Sequence, residues 1–166
     1  MSDTIINFLQ QYNIPGEAIV FIISLLPILE LRGGLIASAI LRLPLIKAFL
    51  ICFIANVLPM PFILIFIQAI FKFLKGFSFT KPLIEWLEKK AVSKSSSISK
   101  KYLLGLFLFV AIPLPGTGGW TGALIASVLE MPIKKSFVAI VSGIFCAGLI
   151  MIAITYFIPG LFGFKF

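Results

Sequence analysis

Three long stretches without a formal charge constrain the fold of this 166-residue chain more than any other feature. They cover residues 48–71, 102–129 and 136–164. Each stretch exceeds the roughly 20 apolar residues that an α-helix needs to cross a hydrocarbon core about 30 Å thick. The pattern therefore predicts an all-α protein whose principal solvent is lipid.

The composition leads to the same class. Hydrophobic residues make up 60% of the chain and charged residues 12%, whereas soluble domains are about 45–50% apolar and about 25% charged. A soluble domain of this length has too small an interior to bury so many leucine, isoleucine and phenylalanine side chains. We expect one membrane domain over residues 1–166 and no separate soluble domain.

The net charge of +8 is concentrated in the connector between two of the hydrophobic stretches. The lysines of this connector are Lys72, Lys75, Lys81, Lys89, Lys90, Lys94, Lys100 and Lys101. Such a connector follows the positive-inside rule, so we expect a cytoplasmic linker in a multi-pass protein of the plasma membrane and no nucleic-acid partner. Residues 2–12 are predicted to form an amphipathic helix in the membrane interface.

An internal repeat becomes visible when the chain is shifted by 88 residues. The aligned pairs are Pro27 with Pro115, Gly34 with Gly122, Leu41 with Leu129, Pro44 with Pro132, Lys47 with Lys135 and Phe49 with Phe137. The matches predict repeat one at about residues 18–75, the basic linker at 76–101 and repeat two at about 102–162.

Each half begins with an apolar segment that proline and glycine interrupt. A continuous helix through such a break would leave backbone groups unpaired in lipid, at several kcal/mol per group. A re-entrant hairpin with arms of about 10–14 residues avoids this penalty. We therefore predict two inverted repeats, each a re-entrant helical hairpin followed by a long kinked transmembrane helix. In the first half, Pro59 and Pro61 mark the kink. The alternative is four plain spanning helices.

Glu30 and Arg32 are the only charged residues inside the first predicted hairpin. Ionisable groups within a membrane cost at least about 2.5 kcal/mol each and usually face the protein interior or a cavity. With Gly33 and Gly34 beside them, both are predicted to lie in a turn and point inward, with Asn56 facing the same place. Since a guanidinium binds phosphate or carboxylate bidentately, the pair predicts an ion or substrate site. The alternative is a charge pair at headgroup level that fixes the loop.

The break in the second half is rich in glycine. Successive glycines allow backbone amides to converge into an anion-binding nest, and a helix beginning near Trp120 would direct its positive end there. No lysine follows as in a nucleotide-binding loop, and a simple tight turn is the alternative. We predict one site shared by the two hairpins, formed by Glu30, Arg32, Gly33, Gly34, Asn56, Pro115, Gly116, Thr117, Gly118, Gly119, Trp120 and Thr121.

Enzymatic chemistry is not expected. The chain has no histidine, and Cys52 and Cys146 lie in apolar segments without metal-site spacing. No nucleophile is paired with a base in the sequence. We therefore predict no catalytic residue, no metal and no cofactor.

Two motifs carry a resemblance to a known family. The sequences Pro-Ile-Leu-Glu-Leu-Arg-Gly-Gly at residues 27–34 and Pro-Leu-Pro-Gly-Thr-Gly-Gly-Trp-Thr-Gly at 113–122 resemble the two signatures of the bacterial and archaeal small multi-drug export protein family. That family is in turn similar to the DedA membrane proteins, which have two re-entrant hairpins. The likeness implies transport or flipping of lipid phosphates such as undecaprenyl phosphate, coupled to protons. The chain departs from the family in having Ile-Ala-Ser at residues 36–38, where members often carry proline.

Three hypotheses follow. In the first, a translocase moves a lipid-linked phosphate or similar anionic amphiphile, Glu30 carries a proton, and Arg32 with the amides of residues 116–119 binds the headgroup. The alternative is a proton-coupled exporter of cationic drugs with Glu30 as counter-ion, and a further alternative is a non-transporting membrane scaffold. Membrane lipids are the expected partners, and so is a second copy of the chain, because one copy has few helices to enclose a pathway.

Overall fold

A computed structural model describes residues 14–74 and 96–157, with side chains for 14–70 and 101–156. In these residues the chain forms α-helices and no strand. The helices are α1 (Gly16–Leu25), α2 (Glu30–Ile40), α3 (Leu45–Val57), α4 (Met60–Leu74), α5 (Ser96–Ala111), α6 (Gly119–Val128) and α7 (Ile133–Ile152), which continues as a π-helical turn, Ala153–Phe157. The predicted amphipathic helix at 2–12 and most of the basic linker lie outside the described residues.

Two segments are long and apolar enough to cross a membrane. They are Leu45–Ile70, which combines α3 with most of α4, and Ile133–Tyr156, which is α7 with its π-helical turn. The first is interrupted between Val57 and Met60, where the sequence predicts a kink. Because proline lacks the N–H that a helix interior requires, Pro59 lies in the turn between α3 and α4 and Pro61 in the first turn of α4.

The first helix break differs from the prediction. The expected turn at residues 30–34 instead follows Leu26, whose extended conformation (ψ 135°) ends α1, as is usual before a proline. Glu30 begins α2 with a φ of 51°. Gly33 and Gly34 therefore lie inside α2, where their lack of a side chain allows close packing against α1.

The predicted linker also ends earlier than expected. Helix α5 begins at Ser96, so the last residues of the 76–101 linker belong to the helix that opens the second half. The second break agrees with the prediction, since it follows α5 at Ala111 and ends where α6 begins at Gly119.

The corners after α2 and α6 have the same backbone geometry 88 residues apart. The Leu43 N–H donates to the Ser38 carbonyl (3.0 Å) and the Met131 N–H to the Ala126 carbonyl (2.9 Å). This is the six-to-one bond of a Schellman motif. The left-handed residue of each corner is not glycine but Arg42 (φ 54°) or Glu130 (φ 49°).

Each long helical segment reaches, near its end, the corner of the other half. Near the end of the first long segment, Gln68 Nε2 donates to the carbonyl of Met131 at the second corner (2.9 Å). At the end of the second, the hydroxyl of Tyr156 shares a hydrogen bond of 2.8 Å with Ser38, which precedes the first corner. The helix breaks between α1 and α2 and between α5 and α6 line one cavity.

Large apolar side chains cover much of the outer surface. The most exposed are Ile28 (83%), Ile46 (74%), Phe62 (69%), Phe66 (66%) and Val138 (63%). Inside, Gly143 allows α7 to approach Val110 and Phe107 of α5, and Gly148 allows it to approach Phe49 of α3. An apolar exterior around a close-packed interior is the arrangement that lipid favours.

Candidate functional site

The centre of the site is a carboxylate from the first half bound to a helix N-terminus from the second. Glu30 is 5% exposed and accepts hydrogen bonds from the N–H groups of Gly119 (3.2 Å) and Trp120 (3.1 Å). These are the first N–H groups of α6, which have no acceptor within their own helix. The positive end of the helix dipole favours an anion at this position, so Glu30 caps α6 from across the molecule.

Arg32 binds the loop that precedes α6. Its guanidinium donates to the carbonyl oxygens of Leu114 and Thr117, and at 3.4 Å to that of Ile112. Its Nη2 also lies 3.3 Å from Thr117 Oγ1. The two charges of the first motif therefore hold both parts of the second break: the Glu30 carboxylate binds its helix N-terminus and the Arg32 guanidinium binds its loop carbonyls.

Thr117 and the neighbouring glycines shape this loop. The Thr117 hydroxyl lies 2.7 Å from the Ile112 carbonyl and 2.9 Å from that of Leu114, and the Leu114 N–H donates to it at 3.2 Å. Gly116 has a φ of +82°, which an L-residue rarely adopts. A Cβ atom at Gly118 would overlap the Glu30 carboxylate, so only glycine allows the carboxylate to reach α6.

Asn56 borders the inner side of the Glu30 carboxylate. It is 2% exposed and lines a cavity of about 10 Å³ together with Glu30, Arg32 and Gly118. Within the described residues its Oδ1 atom has no hydrogen-bond partner. A space of this size corresponds to about one water molecule.

A larger cavity of about 180 Å³ lies on the other side of the charged pair. It is lined by Pro27, Ile28, Leu29, Glu30, Arg32, Gly116, Thr117, Gly118 and Thr121. Both break motifs thus contribute to one wall that contains a carboxylate, a guanidinium and two hydroxyl groups. Such a mixture of apolar surface and a few polar groups is typical of a ligand site.

Comparison with known proteins gave a family match over residues 30–150, to the family described as "Putative small multi-drug export protein". The matched range includes residues 30–34 of the first motif, the whole second motif and most of the chain. The chain belongs to the small multi-drug export protein family. No curated protein and no solved structure gave a match.

Membership in the export family, together with two helices long enough to span a bilayer, is consistent with a membrane transporter. The match begins at Glu30 itself and ends within α7. The contacts between Glu30, Arg32 and the second break are therefore all formed by residues inside the family's region.

Most of the predicted site residues of this export-family protein lie together. Those around the two cavities or in direct contact with Glu30 or Arg32 are Glu30, Arg32, Asn56, Gly116, Thr117, Gly118, Gly119, Trp120 and Thr121. Gly33 and Gly34 face α1 instead. Pro115 is exposed and lines neither cavity.

Some wall residues have no distinguishing signal in the sequence. Val110, Ile144 and Ala147 line the small cavity but are ordinary apolar residues of α5 and α7. The larger cavity is also lined by Pro27, Ile28 and Leu29. Their place in the first motif, next to Glu30, is the one sequence feature that indicates a position in the site. The amides that bind the carboxylate belong to Gly119 and Trp120, at the end of the predicted 116–119 nest.

Proposed function

We propose that this protein is a proton-coupled transporter of an amphiphile with an anionic headgroup, such as a lipid-linked phosphate. One observation carries the proposal: the N-terminus of α6 binds a carboxylate, the chain's own Glu30, through the N–H groups of Gly119 and Trp120. Two converging N–H groups that donate to a carboxylate can also donate to phosphate oxygens, because both ligands are oxyanions.

The charge of the site depends on Glu30. With Glu30 ionised, the carboxylate offsets the nearby charge of Arg32. With Glu30 protonated, Arg32 and the α6 N-terminus leave the site electropositive. Because charges interact strongly away from water, protonation of Glu30 would release its hold on α6 and favour an incoming anion.

A cationic substrate fits this geometry less well. Arg32 lines the same 180 Å³ cavity as Glu30, so a cation there would meet a like charge. A headgroup in this cavity would lie beside the positive charge of Arg32, whose terminal nitrogens also donate to the loop carbonyls, with Thr117 and Thr121 nearby. Exposed apolar side chains border the cavity, for example Ile28, which is 83% exposed. The hydrocarbon tail of the substrate could therefore extend past them into the lipid.

The proposed architecture is a pair of inverted repeats whose re-entrant hairpins meet at this site, as in the DedA proteins. Helices α1, α2 and α6 have 10, 11 and 10 residues, about half of what a crossing requires. The equivalent corners 88 residues apart and the contact of each long helix with the other half's corner support it. Broken helices that meet near the midplane are a recurrent way to form a transport site.

The test is translocation of a fluorescent isoprenyl phosphate in liposomes that contain the purified protein, read by a quencher that cannot cross the bilayer. We expect Arg32→Lys to slow exchange by about tenfold or more, because lysine lacks the bidentate fork. Glu30→Gln should exchange the probe without dependence on pH. Glu17→Gln is the matched control, since Glu17 pairs with Lys47 (2.7 Å) away from the site.

A cationic dye in the same liposomes distinguishes the alternatives. The wild-type protein could instead transport the dye, with Glu30→Gln abolishing this transport and Arg32→Lys leaving it intact. That result would contradict the proposal and favour the drug exporter. Transport of neither probe by the wild-type protein would favour the scaffold.

A further inference from the structure

A line of polar side chains extends from Glu30 along the interior of the first half. Glu30, Gly34 and Ser38 are spaced by four residues on α2 and therefore share one face, over about 12 Å at 1.5 Å per residue. On α3, Cys52 and Asn56 have the same spacing. In both helices these residues are buried.

Contacts place these residues in three successive levels. Asn56 lies beside Glu30 in the small cavity. One turn further along α2, Gly34 faces Ser24 of α1 and Cys52 of α3, and a Cβ atom at Gly34 would overlap Ser24 Oγ and lie 2.9 Å from Cys52 Sγ. At the third level, Ser38 and Tyr156 share a hydrogen bond of 2.8 Å.

Two of these groups are poorly explained by packing. Ser24 is fully buried and Asn56 is 2% exposed, yet within the described residues neither Ser24 Oγ nor Asn56 Oδ1 has a hydrogen-bond partner. A buried polar atom without a partner destabilises a fold. Of the four such side-chain atoms in the described residues, two lie on this one line, and their alignment with Glu30 calls for another role.

The second half of the chain shows that packing does not require this line. The positions 88 residues after Ser24, Glu30, Gly34, Ser38, Cys52 and Asn56 are Ile112, Gly118, Gly122, Ala126, Ile140 and Ile144. None of these has a polar side chain, although the corner that follows has the same hydrogen bonds as in the first half. The polar line is therefore a specific feature of the half that contains Glu30.

We propose that Glu30 exchanges its proton with one side of the membrane through this line, which runs from Asn56 past Ser24 and Cys52 to Ser38 and Tyr156. The inference rests on the proposed function, in which Glu30 carries the coupling proton. A water molecule between successive levels would carry the proton across the roughly 6 Å that four residues of helix span. Each hydroxyl and each water accepts one proton as it donates another, so the line ends unchanged while Glu30 gains the proton supplied at the Tyr156 end. Asn56 orients a water molecule in the small cavity with its free oxygen.

The groups that can influence this exchange are few. Arg32 is the charged side chain that shares both cavities with Glu30 among the described residues. The amides of Gly119 and Trp120 face the carboxylate from α6. Along the line itself, the titratable groups are Cys52 on α3 and Tyr156 in the π-helical turn.

Trp120 provides a readout of Glu30, because its own N–H binds the carboxylate. With Trp86→Phe as background, the chain retains one tryptophan, since the sequence has two. Its fluorescence is followed in liposomes after a rapid change of external pH. The signal is the component that Glu30→Gln removes.

We expect Ser24→Ala and Tyr156→Phe each to slow this component by about tenfold, as for the loss of one hydrogen bond on the path. Ser136→Ala is the matched control for Ser24→Ala, because Ser136 Oγ is also buried without a partner in the described residues but lies outside the line. Tyr102→Phe, on α5, is the control for Tyr156→Phe.

Equal rates in all four variants would overturn the proton path. Slowing by the two controls as much as by the two path variants would overturn it as well. The measurement uses no substrate, so failure of the wild-type protein to move the isoprenyl phosphate would count against the proposed function and not against the path.

Discussion

At the scale of single residues, Glu30 determines what surrounds it. A buried carboxylate requires hydrogen-bond donors, and here they come from Gly119 and Trp120 in the other half of the chain. The sequence predicted that the charged motif of the first half and the glycine-rich motif of the second half would meet. It did not reveal that Glu30 itself accepts hydrogen bonds from the α6 amides, because that contact depends on where α2 begins.

Gly118→Ala should destabilise the protein by about 1–3 kcal/mol, the usual range for overpacking. The new methyl group would overlap the Glu30 carboxylate and force it away from α6. Gly105→Ala is the matched control, because a Cβ atom there meets nothing within 4 Å and alanine favours a helix. Thermal unfolding in detergent measures both, and equal midpoints for the two variants would contradict the contact.

Thr117→Val should destabilise the loop by about 1–2 kcal/mol, since it removes the hydroxyl that contacts the Ile112 and Leu114 carbonyls. Thr117→Ser keeps the hydroxyl and should retain most of the stability. The same unfolding measurement, together with exchange of the isoprenyl phosphate, checks both variants. A valine variant as stable and active as the serine variant would show that the hydroxyl does not hold the loop.

At the scale of helices and turns, the sequence predicted the two long apolar segments, the kink in the first of them and the position of the second break. Proline explains this success, because it marks the start of α1, α3 and α7 and the kink before α4. The shift of the first turn to the residues after Leu26 was not foreseen. Glycine usually indicates a turn, but Gly33 and Gly34 serve close helix packing instead.

The corners give a prediction at this scale. Arg42 has a φ of 54°, and a left-handed conformation costs an L-residue about 1–2 kcal/mol. Arg42→Gly should therefore be more stable than Arg42→Ala by about 1 kcal/mol, since both lose the side chain but only glycine adopts this conformation freely. Unfolding midpoints of the two variants measure the difference, and an alanine variant that matches the glycine variant would contradict the corner geometry.

At the scale of the whole molecule, the architecture depends on which membrane face each corner occupies. The described structure brings Glu17, at the start of α1, into an ion pair with Lys47, which follows the first corner. In four plain spanning helices these two residues would lie on opposite faces. The inverted relation between the halves stays a prediction from the internal repeat, because apolar periodicity alone does not distinguish a returning helix pair from a long span when both are apolar throughout.

The measurement that tests this account most directly determines on which side of the membrane each of three positions lies. Single cysteines replace Glu17, Arg42 or Lys101 in a chain whose Cys52 and Cys146 are alanine, and a thiol reagent that cannot cross the bilayer labels them in intact cells and in inverted vesicles. We expect the cysteines at 17 and 42 to be labelled from one side and the cysteine at 101 from the other. Labelling of 17 and 101 from one side, with 42 on the opposite side, would contradict the paired hairpins and the shared site between them.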